Sequence, residues 1–263
     1  MVSIVIPVKN GADTIGRVLD SIKSQTYPNI EIIIVDNFST DGTASECLSR
    51  GLTPSLFGPE RSSQINHGAR LAKGEYLLRH NDDCILPPTI IAEGVSLLET
   101  RYDMAEFGWL PDESISFWAK VRHADLSCFI ADAKGVGPCF FRTQDFLDMG
   151  GNNESLVAGE DYEFSKRVAQ KGFRIGLTKS VMTHLGEPKH LREVVRKDVY
   201  YGRHLRKSLA TGSGKSFSPL RGRYWRHRDN FFRRGPLITF GFALYEMVRY
   251  QSALVGMLME QLA

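Results

Sequence analysis

Three kinds of sequence feature are missing from this chain of 263 residues. The four cysteines, at positions 47, 84, 128 and 139, form no CxxC pair and no metal-finger spacing, so we expect reduced core thiols in a cytosolic protein and no disulfide framework. No uninterrupted apolar run approaches the roughly 18 residues of a membrane-spanning helix. The N-terminal segment MVSIVIPVKN has no basic leader, and its apolar run is too short for a signal peptide. We therefore interpret this segment as a first strand.

Charge is distributed unevenly along the chain. The net charge is +3, but residues 189–234 contain 14 Lys and Arg against three acidic residues, which leaves about −8 for the remainder. The content of 42% hydrophobic and 24% charged residues is that of an ordinary globular protein. The length therefore suits one large domain, or a domain with an extension, and the basic segment needs an explanation of its own.

The first half of the chain alternates strand-like and helix-like patterns. The segments SIVIPV (3–8), EIIIVD (31–36) and EYLLRH (75–80) predict strands. Helical spacing predicts helices over about 13–25 and 64–73, and turn residues at 37–43 open another, with Asp41 or Thr40 as its cap. This alternation predicts an α/β fold with a doubly wound, mostly parallel sheet flanked by helices.

The second half is less regular. We predict strands at 103–109 and 135–141, and a helix that opens near Glu160 and stops at Gly172. A short pair of strands, RIGLTKS and VMTHLG, is expected after that helix.

Polar clusters follow two of the predicted strands. Asp36-Asn37 ends the second strand, and Asn81-Asp82-Asp83 follows the strand at 75–80. Ligands bind such sheets outside the carboxyl ends of the strands, and buried carboxylates are costly unless something pairs with them. We therefore favour a binding role for both clusters, with a solvated turn before Pro87-Pro88 as the alternative for the second.

Four blocks of sequence together resemble a known family. They are VSIVIPVKNGADTI, QTYPNIEIIIVDNFSTDGT, NHGARLAKGEYLLRHNDDCILPP and GGNNESLVAGEDYEFSKRVAQKGFRI. In this order they resemble the inverting glycosyltransferases of family two, which have the GT-A fold. The resemblance runs from about Val2 to Gly186. It implies a catalytic domain over 1–188, with about 1–97 binding a nucleotide sugar and 98–188 on the acceptor side, followed by a basic and amphipathic helical extension over 189–263.

The resemblance implies a nucleotide-diphosphate sugar donor, with UDP or GDP expected. In the family pattern Asp36 fixes the base, and Pro7, Lys9 and Asp13 shape the other wall of the site. The remaining residues implied on the nucleotide side are Asn37, Arg61, Asn66, Gly68 and Asp82.

The family also has a DxD motif that brings a divalent cation to the diphosphate, where it acts as a Lewis acid. This chain has Asn81 at the first position, so Asp83 is the expected main ligand, with Asn81 contributing its carbonyl and His184 matching a histidine of relatives. Hard oxygen ligands suit Mn²⁺ or Mg²⁺. Because an amide offers less charge than a carboxylate, a weakened metal site or an inactive transferase stays an alternative.

The segment GEDYEF holds the expected catalytic residues. Asp161 occupies the family's general-base position, where a carboxylate takes the proton of an attacking hydroxyl. Glu160 is expected to bind or orient the acceptor. The alternative is that both residues only stabilise a helix N-terminus.

The C-terminal quarter lies beyond the resemblance. GSGKS (212–216) fails as a phosphate-binding loop because its first glycine position is Leu209 and no buried strand precedes it. The basic, aromatic segment RGRYWRHRDNFFRRG precedes a helix that is apolar except for a narrow strip, whose members are Thr239, Glu246, Arg249, Ser252, Gly256 and Glu260.

This combination predicts attachment to an anionic membrane surface through about 217–262, at the cytoplasmic face, without nucleic acid as a partner. Packing on the catalytic domain or in a homodimer is the alternative. A membrane location favours a glycan or polyprenyl-linked acceptor, and a polyprenyl phosphate acceptor would need no strong base.

Two rivals from other classes are weaker. A sugar-phosphate nucleotidyltransferase needs a glycine-rich, basic loop after the first strand, and PVKNGADT has one glycine there. A nucleic-acid-binding protein acting through the basic tail leaves the acidic strand ends unexplained.

Overall fold

A computed structural model describes residues 1–132, 137–210 and 220–261 of the chain. The described residues form two compact units. The first comprises residues 1–109 and 137–183, and the second comprises residues 110–132, 184–210 and 220–261. The segment GSGKS, and with it the expectation that it is a loop, lies outside the described residues.

The strands are β1 (Val2–Val8), β2 (Ile30–Asp36), β3 (Ser55–Leu56), β4 (Tyr76–Arg79), β5 (Cys84–Ile85), β6 (Met104–Pro111), β7 (Phe140–Arg142) and β8 (Ile175–His184). The helices are α1 (Ala12–Lys23), α2 (Thr43–Leu48), α3 (Arg61–Leu71), α4 (Ile90–Thr100), α5 (Phe117–Ala131), α6 (Thr143–Asp148), α7 (Glu160–Gln170), α8 (Leu191–Ala210), α9 (Leu220–Arg226), α10 (Arg228–Phe232) and α11 (Pro236–Gln261).

The strands form one sheet with the order β3-β2-β1-β4-β7-β6-β8-β5. The four strands at one side, β3, β2, β1 and β4, are parallel, whereas β7 runs antiparallel to both β4 and β6. All seven residues of β1 are buried, which explains its near-continuous run of β-branched residues. The α/β sheet flanked by helices, expected from the alternating pattern, is confirmed.

Parallel pairing brings the carboxyl ends of three strands to one edge of the sheet. In the register of β1, Val8 lies opposite Asp36 of β2, and Val5 lies opposite Arg79 of β4. The loops that follow β2 and β4 therefore begin at the same edge of the sheet. The cluster Asp36-Asn37 lies at the end of β2, and the cluster Asn81-Asp82-Asp83 follows β4.

The expected pair of strands at 174–186 is wrong, because the structure has one continuous strand, β8, in this region. The polar residues Lys179 and Ser180, in the middle of β8, are typical of a turn between two strands. Their backbone N–H groups at Lys179 and Ser180 instead both donate to Glu93 Oε2 at 2.9 Å, so the extended backbone is stabilised there by a side chain of α4. This partner is distant in sequence, and no local pattern indicates it.

The second unit is mostly helical. Its core contains Val121 and Cys128 of α5, Val194 of α8, Phe231 of α10 and Tyr245 of α11. The extension was expected over 189–263. In the structure, α5, which comes earlier in the chain, belongs to the same compact unit as this extension. Among the described residues, no helix is both long and apolar enough to cross a membrane.

Two glycines allow the helices α8 and α11 to approach closely. A Cβ atom on Gly202 of α8 would lie 2.3 Å from the carbonyl oxygen of Ala253, and one on Gly256 of α11 would lie 2.2 Å from that of Val199. Real Cβ atoms do not tolerate such distances from backbone atoms, so both positions require glycine for this packing.

We therefore expect Gly256→Val to destabilise the second unit by about 1–3 kcal/mol, because the helices must separate. Chemical denaturation followed by circular dichroism measures the change. Gly222→Ala is the matched control, since its Cβ would meet only the end of the Arg226 side chain, at 3.5 Å. Equal stability of the Gly256→Val variant and the wild type would contradict the close packing of α8 and α11.

Candidate active site

Arg61 connects the end of β4 with the start of α7. It is the first residue of α3, where its Nη2 donates to Asn81 Oδ1 at 2.8 Å and its Nη1 donates to Glu160 Oε1 at 3.0 Å. One guanidinium therefore joins the predicted metal-binding segment to the predicted catalytic segment, within the first unit.

The two predicted catalytic residues open α7. Gly159 precedes them in the left-handed region, with φ of 82°, which glycine adopts without strain. Asp161 Oδ1 lies 3.3 Å from Arg79 Nη2, and its Oδ2 lies 3.7 Å from Arg61 Nη1. The Asp161 side chain is 36% exposed, whereas that of Glu160 is 14% exposed. Asp161 is thus the more accessible of the two carboxylates.

Glu160 has a different electrostatic environment. Burial is the main reason that its pKa is raised, and the neighbouring Asp161 charge raises it further, while Arg61 acts in the opposite direction. A raised pKa makes the ionised carboxylate a stronger base, so the pKa by itself does not exclude Glu160 as a proton acceptor. Glu160 is, however, less accessible than Asp161 and already accepts a hydrogen bond from Arg61, so its position suits binding better than proton abstraction.

Arg79 is a site residue that the sequence reasoning missed. Its side chain is 4% exposed and its pKa is lowered by burial, with the charge of Asp161 opposing that effect. Its Nη1 donates to Asn152 Oδ1 at 2.7 Å, and its Nη2 donates to the Pro138 carbonyl at 2.6 Å. The available signal was a charged residue at the end of an otherwise apolar strand, YLLR.

Replacing Arg79 by methionine is expected to lower the free energy of unfolding by about 3 kcal/mol, because the substitution leaves buried acceptors without a donor. Urea denaturation measures this loss. Arg174→Met is the control, since Arg174 is 65% exposed in its ion pair with Asp103 and such pairs contribute at most about 1 kcal/mol. Equal losses in the two variants would contradict a structural role for Arg79.

The loop after β2 holds the residues predicted to bind the base. Asp36 is buried, and its Oδ1 accepts a hydrogen bond from the Ser39 backbone N–H at 3.1 Å, while Asn37 donates through Nδ2 to the Pro59 carbonyl. Among the residues of the opposite wall, Pro7 is buried whereas Lys9 and Asp13 are exposed. The contact of these residues with a nucleotide stays a prediction.

Two residues predicted on the nucleotide side have packing contacts in the structure. The Asn66 side chain donates to the Asn152 carbonyl at 2.9 Å and accepts from the Asn152 N–H at 2.8 Å. A Cβ atom on Gly68 would lie 2.4 Å from Val5 Cγ1, so glycine allows α3 to pack on β1. Their nucleotide contacts stay predictions, and the structure gives each residue a role in the fold.

The segment after β4 supplies the candidate metal ligands. Asp82 lies beside the turn after β1, since a Cβ atom on Gly11 would meet Asp82 Oδ2 at 2.4 Å. Asp83 follows, with its Oδ1 3.7 Å from Cys84 Sγ. The preceding His80 is buried, which lowers its pKa to about 4, and its Nε2 contacts the Cys84 carbonyl at 2.8 Å. A neutral His80 thus holds the segment in place.

His184, the remaining predicted ligand, is the last residue of β8 and belongs to the second unit. There its Nδ1 lies 2.7 Å from Glu187 Oε1, and the Glu187 side chain is fully buried. The metal role of His184 stays a prediction. All four cysteines are free thiols, in agreement with the expectation from their spacing.

This chain is similar in sequence and in fold to known glycosyltransferases. A family model described as glycosyl transferase family 2 matches residues 3–126. An uncharacterized glycosyltransferase of Rickettsia typhi is 39% identical over 101 residues, which cover 37% of this chain and 32% of the relative. This chain therefore aligns with only about a third of that relative's length.

Two further relatives match over more of the chain. The Escherichia coli protein named UDP-Glc:alpha-D-GlcNAc-diphosphoundecaprenol beta-1,3-glucosyltransferase WfaP is 25% identical over 209 residues, covering 70% of this chain and 76% of WfaP. A solved structure of the mannosyltransferase PcManGT from Pyrobaculum calidifontis, in complex with GDP-Man and Mn²⁺, is similar with a TM-score of 0.60 at 20% identity. That match covers 96% of this chain and 74% of PcManGT.

The structural similarity shows the fold, which is of the GT-A type. The family match begins in β1 and ends within α5, so it includes the ends of β2 and β4 that carry the polar clusters. In sequence, residues 3–126 of the chain are thus similar to glycosyl transferase family 2.

Proposed function

We propose that this protein is an inverting glycosyltransferase that moves a sugar from a nucleotide-diphosphate donor to an acceptor hydroxyl. The observation that carries the proposal is the contact of one guanidinium, that of Arg61, with both Asn81 and Glu160. The end of β4, where a donor diphosphate would bind, and Asp161, which would receive the acceptor proton, thereby belong to one polar network.

The donor is a UDP or GDP sugar. The names of two relatives support this choice, since WfaP is named for UDP-Glc and PcManGT is described in complex with GDP-Man. In this chain Asp36 would accept hydrogen bonds from N–H groups of the base. Arg61 would remain close to the diphosphate through its contact with Asn81.

The residues after β4 have the chemistry of a site for a hard divalent cation. Asp82 and Asp83 provide carboxylate oxygens, and the Asn81 carbonyl has a second lone pair beyond its bond to Arg61. Asp83, with Asn81, would hold Mn²⁺ or Mg²⁺. Such an ion supplies positive charge that stabilises the departing diphosphate.

Asp161 would act as the general base. Its carboxylate is partly exposed and is oriented by two arginines, of which Arg79 is buried. An acceptor hydroxyl that attacks the anomeric carbon opposite the diphosphate would lose its proton to Asp161, and a single displacement of this kind inverts the configuration. Glu160 would orient the acceptor.

The acceptor is a glycan or a polyprenyl-linked sugar at the cytoplasmic face of a membrane. WfaP, whose name specifies a diphosphoundecaprenol acceptor, supports the lipid-linked class. The other possibility within the same chemistry is a polyprenyl phosphate, which is already ionised near neutral pH and would depend little on Asp161.

A thermal-shift screen of UDP, GDP, CDP and dTDP, each with and without Mn²⁺, tests the donor half of the proposal. We expect one of the first two nucleotides to raise the melting temperature, and Mn²⁺ to increase the shift, because binding to the folded state alone stabilises it. If none of the four shifts the melting temperature, and no nucleoside diphosphate is released from any donor with Mn²⁺ present, the enzyme proposal is wrong.

A further inference from the structure

Helix α11 turns its polar strip towards the protein. Arg249 of the strip lies 3.1 Å from Glu246 on the same helix and 3.5 Å from Asp198 of α8, measured between the charged nitrogen and oxygen atoms. Ser252 is buried, and Gly256 packs against the backbone of α8 at Val199. The polar strip therefore cannot be the water-facing side of this helix.

The opposite side of α11 is exposed and apolar. We call it the apolar stripe, and its members are Leu237, Phe240, Ala243, Met247, Tyr250, Leu254 and Leu258. They recur every three or four residues, which places them along one side of the helix over about 32 Å. Phe240 is 68% exposed and Leu254 is 56% exposed. Ile238 and Tyr245 on the inner side of α11 are also apolar, and they are buried in the core of the second unit. A helix on the surface of a globular protein is instead polar on its outer side.

The helices before α11 add exposed aromatic and basic residues. Trp225 of α9 is 72% exposed, Phe232 of α10 is 65% exposed, and the Arg228 guanidinium lies 5.1 Å from the centre of the Trp225 ring. Residues 220–236 contain six arginines and one acidic residue. Large apolar side chains among arginines are typical of segments that lie at the boundary between water and anionic lipid.

We propose that the second unit docks on an anionic lipid surface, with the apolar stripe in the lipid interface and the exposed Arg228 and Arg233 near the headgroups. Charge complementarity favours anionic lipid over a second copy of the chain as the partner of this surface. Two copies of the chain placed face to face would bring two strongly basic segments together, whereas an anionic bilayer offers the opposite charge. The proposal does not depend on the transfer reaction, since it concerns a different surface and different residues.

Vesicle sedimentation with the full chain tests the proposal. We expect the wild type to sediment with vesicles that contain phosphatidylglycerol, to bind vesicles of phosphatidylcholine alone much more weakly, and to dissociate as the salt concentration rises. Arg228→Ala and Arg233→Ala should each reduce binding about fivefold. Phe240→Glu and Leu254→Glu should each reduce it by more than about tenfold, because a charge enters the apolar interface.

Leu48→Glu is the matched control, because Leu48 is an exposed leucine of the first unit and is 57% exposed. It should bind vesicles as the wild type does. Circular dichroism must show that the stripe variants remain folded, which is expected for exposed positions, and whichever of Phe240→Glu and Leu254→Glu is folded provides the test.

Three results would overturn the proposal. The first is a wild type that binds neither kind of vesicle. The second is unchanged binding by the folded stripe variants. The third is a different partner at this surface, found together with a lack of vesicle binding. A second copy of the chain would be shown by a dimer that Phe240→Glu dissociates in analytical ultracentrifugation. Nucleic acid would be shown by salt-sensitive binding of oligonucleotides.

Discussion

Asp161→Asn is expected to reduce the rate of sugar transfer to a hydroxyl acceptor by about 10²- to 10⁴-fold, the range typical for loss of a general base. Asparagine retains the shape of the side chain and can still accept from Arg79, which lies 3.3 Å from Asp161. It cannot take the acceptor proton. Donor binding should change little, so the defect belongs in kcat for transfer and not in the affinity for the nucleotide.

Two measurements separate this result from a general disturbance of α7. Isothermal titration with the nucleoside diphosphate should give a similar affinity for the variant and the wild type. Glu163→Gln is the matched control, because Glu163 also lies in the first turn of α7 but pairs with Arg167 at 2.7 Å. It should retain most of the activity.

The same variant distinguishes the two classes of acceptor. If the natural acceptor is a polyprenyl phosphate, Asp161→Asn should only weaken transfer, because an ionised phosphate needs no base. Undiminished transfer to a hydroxyl acceptor would instead contradict the base assignment itself.

Asp83→Ala is expected to remove the Mn²⁺-dependent part of the thermal shift caused by the nucleoside diphosphate, and to lower transfer by at least about 100-fold. A bound cation contributes several kcal/mol of charge stabilisation at a departing diphosphate, and Asp83 is its main proposed carboxylate ligand. The thermal shift is measured without turnover, so it reports on metal binding separately from catalysis.

Asp148→Ala serves as the control for loss of one carboxylate, since Asp148 is an exposed residue at the end of α6. It should behave as the wild type does in both assays. A Mn²⁺-dependent shift that survives in Asp83→Ala would show that other residues hold the ion. If Mn²⁺ does not change the melting temperature or the activity of the wild type either, the chain has no functional cation site, as expected if the amide of Asn81 cannot replace a carboxylate.

Local patterns predicted much of the first unit. The strands β1, β2 and β4 and the helices α1, α3 and α7 each begin within about three residues of the predicted bounds, because their apolar spacing depends only on neighbours along the chain. The position of Asp36 and Asn81 at strand ends was also evident, and parallel pairing then accounts for their placement at one edge of the sheet.

The sequence by itself therefore determined the α/β class, the resemblance to glycosyltransferases of family two and the strand ends that carry the polar clusters. Only the tertiary structure decided that Arg79 is a buried partner of Asp161, that Glu93 of α4 stabilises the middle of β8, and that the polar strip of α11 points inward. The physical reason is the same in each case. Periodicity records which side chains share a face, whereas the partner of that face is set by contacts between residues far apart in the chain.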